Sequence, residues 1–256
     1  MSPKKIKKLN DKKYRTETGL FIVEGEKNIL ELLASDFHIE AILGTKPFLN
    51  TIEPQIEEYE KKFGHTLLLN DADEATLVSN GSLVSNNAGI AVVRQKEASS
   101  IDTIIAEAQE NIVVVLEDVQ NPGNLGTIIR LADWYGVSHI AASPSTTDFY
   151  NPKVIGATMG SFTRITVTYV PLSELLSQAM QLEIPVIVAD LAGKNTHEGG
   201  LPKTGLLLMG SESHGVSDES LQFATDKVTI PRFGKAESLN VSVATGILLD
   251  TIRRGF

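Results

Sequence analysis

The sequence predicts an α/β protein, with a mostly parallel sheet in its second half and a smaller α/β domain before it. Three observations carry this. Short aliphatic and β-branched runs alternate with apolar stripes at helical spacing along nearly the whole chain. The runs of the second half are continuously apolar, as strands buried on both faces are. A polar, small-residue stretch from Gln95 to Ser100 separates the two halves.

In the first half, L-F-I-V (20–23) reads as a strand and Glu26 to Leu33 as a helix. I-E-A-I-L (39–43) is a second strand, and Ile52, Ile56 and Tyr59 mark a helix. T-L-L-L (66–69) and A-G-I-A-V-V (88–93) supply two more strands. This domain is expected over residues 1–98. A helix over Ile101 to Ala108 then opens the second domain, expected over 99–256. Its first strand is I-V-V-V-L (112–116), and Leu125, Ile128, Ile129 and Ala132 form the stripe of the following helix. Further strands are expected at H-I-A-A (139–142), V-I-V-A-D (186–190), L-L-L-M (206–209) and K-V-T-I (227–230), with helices between most of them. Such alternation covers a parallel sheet on both faces. Ligands of such sheets bind outside the carboxyl ends of the strands, so the loops there carry the chemistry.

Composition narrows the partners. The chain has no cysteine, which excludes disulfides and thiolate metal sites. It has no apolar run of about 18 residues, so no membrane span is expected. M-S-P-K-K-I-K-K lacks the apolar segment of a secretory signal, and a cytoplasmic location is expected. The net charge of −9 argues against phosphate binding, but its distribution argues otherwise. Lys4, Lys5, Lys7, Lys8, Lys12, Lys13 and Arg15 are opposed there only by Asp11. That arm reads as a phosphate-contacting tail, or equally as a solvated terminus. Charge alone leaves the partner open.

Three loops follow strands of the second domain. N-P-G-N-L-G-T-I-I-R (121–130) places Asn124 near a helix start, where asparagine is a favoured cap, and Arg130 in the second turn. Its plain reading is a capped helix with one surface arginine. M-G-S-E-S-H-G-V-S (209–217) sets Glu212 over a strand's carboxyl end, in a glycine pattern that is common by itself. In I-P-R-F-G-K-A-E-S-L-N-V-S-V-A-T-G (230–246), Ser238 and Asn240 open a last helix that is apolar over most of its circumference and should be buried. Its plain reading is a self-satisfied cap.

Taken in order, these loops resemble the three signature motifs of the SpoU/TrmH methyltransferases, within the wider SPOUT class. N-x-G-N-x-G-x-x-x-R-x-A-x-x-x-G is complete over Asn121 to Gly136, and G-x-E-x-x-G-[VL]-S over Gly210 to Ser217. I-P-x-x-G-x-x-x-S-L-N-V-S-x-A is complete over Ile230 to Ala244. Y-R-T-E-T-G-L-F-I-V-E-G (14–25) resembles, more loosely, the opening of the RNA substrate-binding domain that many members carry.

The resemblance implies a deep trefoil knot in the C-terminal sheet and a ribosomal-protein-like α/β domain before it. It implies a homodimer that transfers a methyl group from S-adenosylmethionine to a ribose 2′-hydroxyl of RNA with no metal. By analogy the full N-terminal domain favours ribosomal RNA, with transfer RNA as the alternative substrate. Carried over by position, the cofactor meets Ala189, Asp190, Leu191, Gly210, Ile230 and Leu239. Asn124, Arg130, Glu212, Ser238 and Asn240 match the family's polar catalytic residues. Arginine side chains hold their proton to pKa ~12 and beyond, so a role as general base is a poor fit. Holding a phosphate or the 2′-oxygen against developing negative charge suits Arg130 better. Asn124 and Glu212 would then fix Arg130 and the ribose, while Ser238 and Asn240 orient the loop and the cofactor.

Two other readings compete. A dinucleotide-dependent enzyme needs G-x-G-x-x-G after its first strand, a spacing that V-Q-N-P-G-N-L-G lacks. A non-catalytic RNA-binding relative would be expected to have lost Asn124, Arg130 or Glu212, and all three are present. Of the five histidines, only His214 falls in a motif, where a solvent-facing or supporting position is expected.

Overall fold

In the computed structural model, which describes residues 3–211 and 214–255, the lysine-rich start of the chain is helical. Helices α1 (Pro3–Lys8) and α2 (Lys12–Thr18) are separated by Asp11, whose carboxylate caps α2 by accepting from the Lys13 N–H at 2.7 Å. Ile6 and Leu9 are buried in a core shared with Ile22, Leu77 and Ile90. The expected tail is therefore a docked helical surface, on which the six lysines are exposed. Arg15 departs from the expectation. It is 2% exposed, and its guanidinium donates to Asp148 Oδ2 at 2.5 Å and to the carbonyls of Leu9 and Asn10 at 2.9 Å each. A planar fork of five donors suits three acceptors in different directions, so Arg15 braces the fold and is not presented to phosphate.

The rest of the first unit follows as β1 (Leu20–Glu24), α3 (Glu26–Leu33), β2 (Ile39–Gly44), α4 (Lys46–Thr51), α5 (Glu53–Phe63), β3 (Leu68–Asp71), α6 (Glu74–Asn80) and β4 (Gly89–Arg94). The sheet order is β1-β4-β2-β3, with β4 antiparallel to both neighbours and β2 parallel to β3.

The chain divides after Glu97, but Asp148–Thr163 returns to the first unit. The second domain expected at 99–256 is thus interrupted. The cause is aromatic: Tyr150 and Phe162 lie 4.6 and 6.4 Å from the ring of Phe21, which is fully buried. Burial pushes the Tyr150 phenol pKa up, and its oxygen accepts from the Lys96 N–H at 3.0 Å.

The second unit starts with α7 (Ile101–Glu110), β5 (Ile112–Leu116), α8 (Pro122–Trp134) and β6 (His139–Ala142). The returning segment carries α9 (Pro152–Thr158). Beyond it come β7 (Thr166–Tyr169), α10 (Leu172–Gln181), β8 (Val186–Asn195), β9 (Gly205–Met209), α11 (Asp218–Leu221), β10 (Asp226–Thr229) and α12 (Val241–Arg254). Its six strands are all parallel, in the order β10-β8-β9-β5-β6-β7. From β5 the chain moves outward through β6 to β7, then crosses to the other side. There β9 inserts between β8 and β5, and the order reverses beside that crossing. This is the place where open parallel sheets open a crevice at their carboxyl ends.

Candidate active site

Three strand ends and one loop enclose a cavity of about 830 Å³ in the second unit. The first wall comes from an irregularity in β8. Its register against β10 jumps from Val188↔Lys227 to Lys194↔Val228, so residues 189–193 loop out of the ladder. Gly193 brings the strand back. A Cβ there would lie 2.4 Å from the Val228 nitrogen, so only glycine permits this approach. The second wall follows β9. Ser211 and Gly215 exchange backbone hydrogen bonds at 3.0 and 2.9 Å and close a tight loop. Gly210 passes so close beneath it that a Cβ would meet the Gly215 carbonyl carbon at 2.1 Å. The third wall is the segment from Thr229 to Leu239 between β10 and α12.

Ala189, Asp190, Leu191, Gly210, Ile230 and Leu239, named from sequence as cofactor contacts, all line this one cavity. Ser238 lines it too, and His214 lies exposed at its edge. Val241, Ala244 and Leu248 of α12 supply apolar lining. The volume lies within the range of small-molecule sites, and the mix of apolar side chains with strand-end backbone fits an S-adenosylmethionine-sized ligand. Among the described residues, no cluster of three or more His, Asp or Glu side chains could hold a metal ion. Among them, too, no helix is long and apolar enough to cross a membrane.

The polar residues separate into two groups. Asn240 caps α12, its Oδ1 accepting from the Ser242 and Val243 N–H groups at 3.0 and 3.4 Å, while its Nδ2 donates to Asn124 Oδ1 at 3.0 Å. The two motif asparagines therefore join the start of α8 to the start of α12. Asn124 is not the cap of α8. Asn121 is, accepting from the Gly123 and Asn124 N–H groups, with Pro122 in the first helical position. Arg130 is exposed, lies outside the cavity lining, and makes no hydrogen bond or ion pair with any described residue. It follows Asn124 by six residues, about 240° further round an α-helix, so the two side chains leave α8 on different faces. Glu212 lies outside the described residues.

One supporting residue escaped the sequence reading. The Glu117 carboxylate, just past β5, accepts from the Ser217 N–H at 3.0 Å, the Ser217 hydroxyl at 2.7 Å and the Ser220 hydroxyl at 2.9 Å. It anchors the second motif's last serine at the start of α11. The last helix also differs from expectation. Leu248, Leu249 and Ile252 are buried, but Val243 and Ile247 are 50% and 38% exposed. On α8, which packs against α12, Trp134 is 82% exposed.

A parallel sheet of this topology, with its cavity at the strand ends, is the fold of SPOUT-class methyltransferase domains, whose sheet is knotted. Residues 111–250 match the SpoU rRNA Methylase family, and residues 3–78 match the MRM3-like substrate binding domain. The chain belongs to the SpoU/TrmH family of S-adenosylmethionine-dependent RNA 2′-O-methyltransferases. It is 28% identical to the 23S rRNA (guanosine(2553)-2′-O)-methyltransferase RlmP of Bacillus subtilis, over 96% of this chain and 94% of that one. It is 30% identical to the tRNA (guanosine(18)-2′-O)-methyltransferase of Aquifex aeolicus, over 64% of this chain and 78% of that one. Among solved structures, the AdoMet-bound rRNA methyltransferase of Sinorhizobium meliloti superposes with a TM-score of 0.84 at 29% identity, covering 98% of this chain and 94% of that one. A TrmH-family protein of Porphyromonas gingivalis superposes with a TM-score of 0.85 at 30% identity, covering 98% and 96%.

Proposed function

We propose that the chain methylates a ribose 2′-hydroxyl of ribosomal RNA in the cytoplasm, using the cavity at the ends of β8, β9 and β10 for S-adenosylmethionine. The convergence of all six expected cofactor contacts on one cavity carries this reading. Bound there, the cofactor supplies an activated methyl group, which leaves the protein the tasks of placement and electrostatics. Ala189 to Leu191, Gly210, Ile230 and Leu239 hold it through strand-end backbone and apolar contact. Ser238 orients the loop over it. The Asn124–Asn240 pair fixes the ribose side, and Arg130 steadies negative charge on the 2′-oxygen as its proton passes to water or a neighbouring phosphate. Ribosomal RNA is favoured over transfer RNA because a relative matched along 96% of the chain is named for 23S rRNA, whereas the relative named for tRNA alone matches 64% of it. Transfer of labelled methyl groups to total RNA from cells lacking the gene, followed by mass mapping, tests the reaction and the substrate together. Label confined to transfer RNA would overturn the ribosomal assignment.

The six exposed lysines of α1 and α2 are the proposed phosphate-contacting surface. Replacing Lys4, Lys5, Lys7, Lys8, Lys12 and Lys13 with glutamine is expected to weaken RNA binding. The slope of log K against log salt should flatten by roughly 0.7–0.9 for every phosphate no longer neutralised. The rate at saturating RNA should be unchanged. An unaltered salt slope would remove this surface from the interface.

The exposed apolar residues Trp134, Val243 and Ile247 are the proposed centre of a homodimer contact. Sedimentation at micromolar concentration should show a species of about twice the 27.7 kDa chain. A strictly monomeric and fully active protein would refute the dimer.

A further inference from the structure

Phe233 stands at the lip of the cavity, in the loop between β10 and α12, and 90% of it is exposed. Phenylalanine has no polar atom to justify such a position. The ring has a companion. The His197 imidazole lies near it, 6.5 Å between centroids and 29° from parallel. His197 is itself held in place: Asn195 Oδ1 accepts from its backbone N–H at 2.9 Å, and the preceding Thr196 is 2% exposed. Arg232 and Lys235 flank the ring along the chain, and Arg232 Nη1 donates to the Ala236 carbonyl at 3.3 Å, bracing the loop.

We infer that Phe233, backed by His197, is the stacking platform for the base of the nucleotide being methylated. This rests on the proposed function and adds a residue that positions the substrate. A ribose in a stacked RNA strand brings its 2′-hydroxyl to a recessed site only when its nucleotide leaves the stack, and an exposed aromatic face replaces the lost neighbour. Cations on either side of such a ring meet the flanking phosphates. The cofactor's adenine has the same π-face chemistry. The exposure of Phe233 places it at the rim, however, while the enclosed apolar lining comes from Val228, Val241 and Leu248.

The test uses the full chain with total RNA from a strain lacking the gene, and compares Phe233→Ala, Phe233→Leu and Phe233→Trp. Leucine keeps apolar bulk and loses the π-face. Alanine and leucine should each lower kcat/KM for RNA by roughly 5- to 100-fold, mostly through KM, and tryptophan should retain activity. Calorimetric affinity for S-adenosylhomocysteine should be the same in all four proteins. Fluorescence added by Phe233→Trp should be quenched by the RNA and not by S-adenosylhomocysteine. Wild-type kinetics in both Phe233→Ala and Phe233→Leu would overturn the inference, as would a fall in S-adenosylhomocysteine affinity matching the fall in kcat/KM. A wild-type protein that transfers no methyl group would remove the proposed function, and this inference with it.

Discussion

Gly210→Ala, the addition of a single carbon, is expected to weaken S-adenosylmethionine binding by roughly 10²-fold or more. A Cβ at residue 210 would lie 2.1 Å from the Gly215 carbonyl carbon, 2.2 Å from its oxygen and 2.3 Å from the Val216 nitrogen. All three are backbone atoms, which cannot swing aside as a side chain does. The loop after β9 must therefore move as a whole, and it forms one wall of the cavity. Relief of such overpacking costs about 1–3 kcal/mol even where a core can adjust. Because the displaced atoms are proposed to touch the ligand, calorimetry should show affinity falling by roughly 10²-fold or more. Gly234→Ala, in the third wall, is the matched control, since its Cβ would meet nothing within 4 Å. It should bind as wild type does. Both variants should keep a cooperative thermal transition, because β9 and the core beneath it are untouched. Gly210→Ala binding with wild-type affinity would mean that the loop after β9 is not part of the cofactor site.

Most strands of the second sheet that can be read from sequence are buried aliphatic runs. K-V-T-I is the exception, an edge strand with one buried residue of four that forms β10 one residue earlier than expected. I-V-V-V-L and L-L-L-M are fully buried in β5 and β9, and H-I-A-A forms β6 with its expected limits. β7 escapes because T-V-T-Y alternates threonine with larger residues at the sheet's edge, where only one residue of the four is buried. α1 and α2 escape for a related reason. Among the described residues before Leu20, Ile6 and Leu9 are the only buried aliphatic side chains, and two residues among lysines make no periodic stripe. The candidate site is legible where its chemistry is local. Asn121 to Arg130 sit on one helix, and Ser238 to Asn240 at the mouth of another. What escapes is non-local. Glu117 meets Ser217 across 100 residues, and the 189–193 excursion depends on where β10 runs beside β8. No spacing within either segment encodes those meetings.

Arg130→Ala should slow methyl transfer by roughly 10²-fold or more in single-turnover reactions with saturating RNA, if Arg130 stabilises charge that appears only in the transition state. Its affinity for S-adenosylmethionine should match wild type, because Arg130 does not line the cavity. Arg130→Lys should recover little, since a point-charge ammonium does not reproduce a planar fork holding two oxygens. The placement of Arg130 makes a sharper test available. It is exposed on a different face of α8 from Asn124, so it is expected to serve the cavity of a second copy. Arg130→Ala protomers keep an intact cavity, and Gly210→Ala protomers keep an intact arginine. Each is expected to be inactive alone. After subunit exchange at equal amounts, half of the dimers should be mixed, each with one complete site of two, so activity should return to about one quarter of wild type. No recovery, from a mixture shown by sedimentation to have exchanged, would mean that Arg130 serves the cavity of its own chain. Wild-type single-turnover rates in Arg130→Ala would remove it from the chemistry, leaving Asn124, Glu212 or the RNA itself to manage the charge.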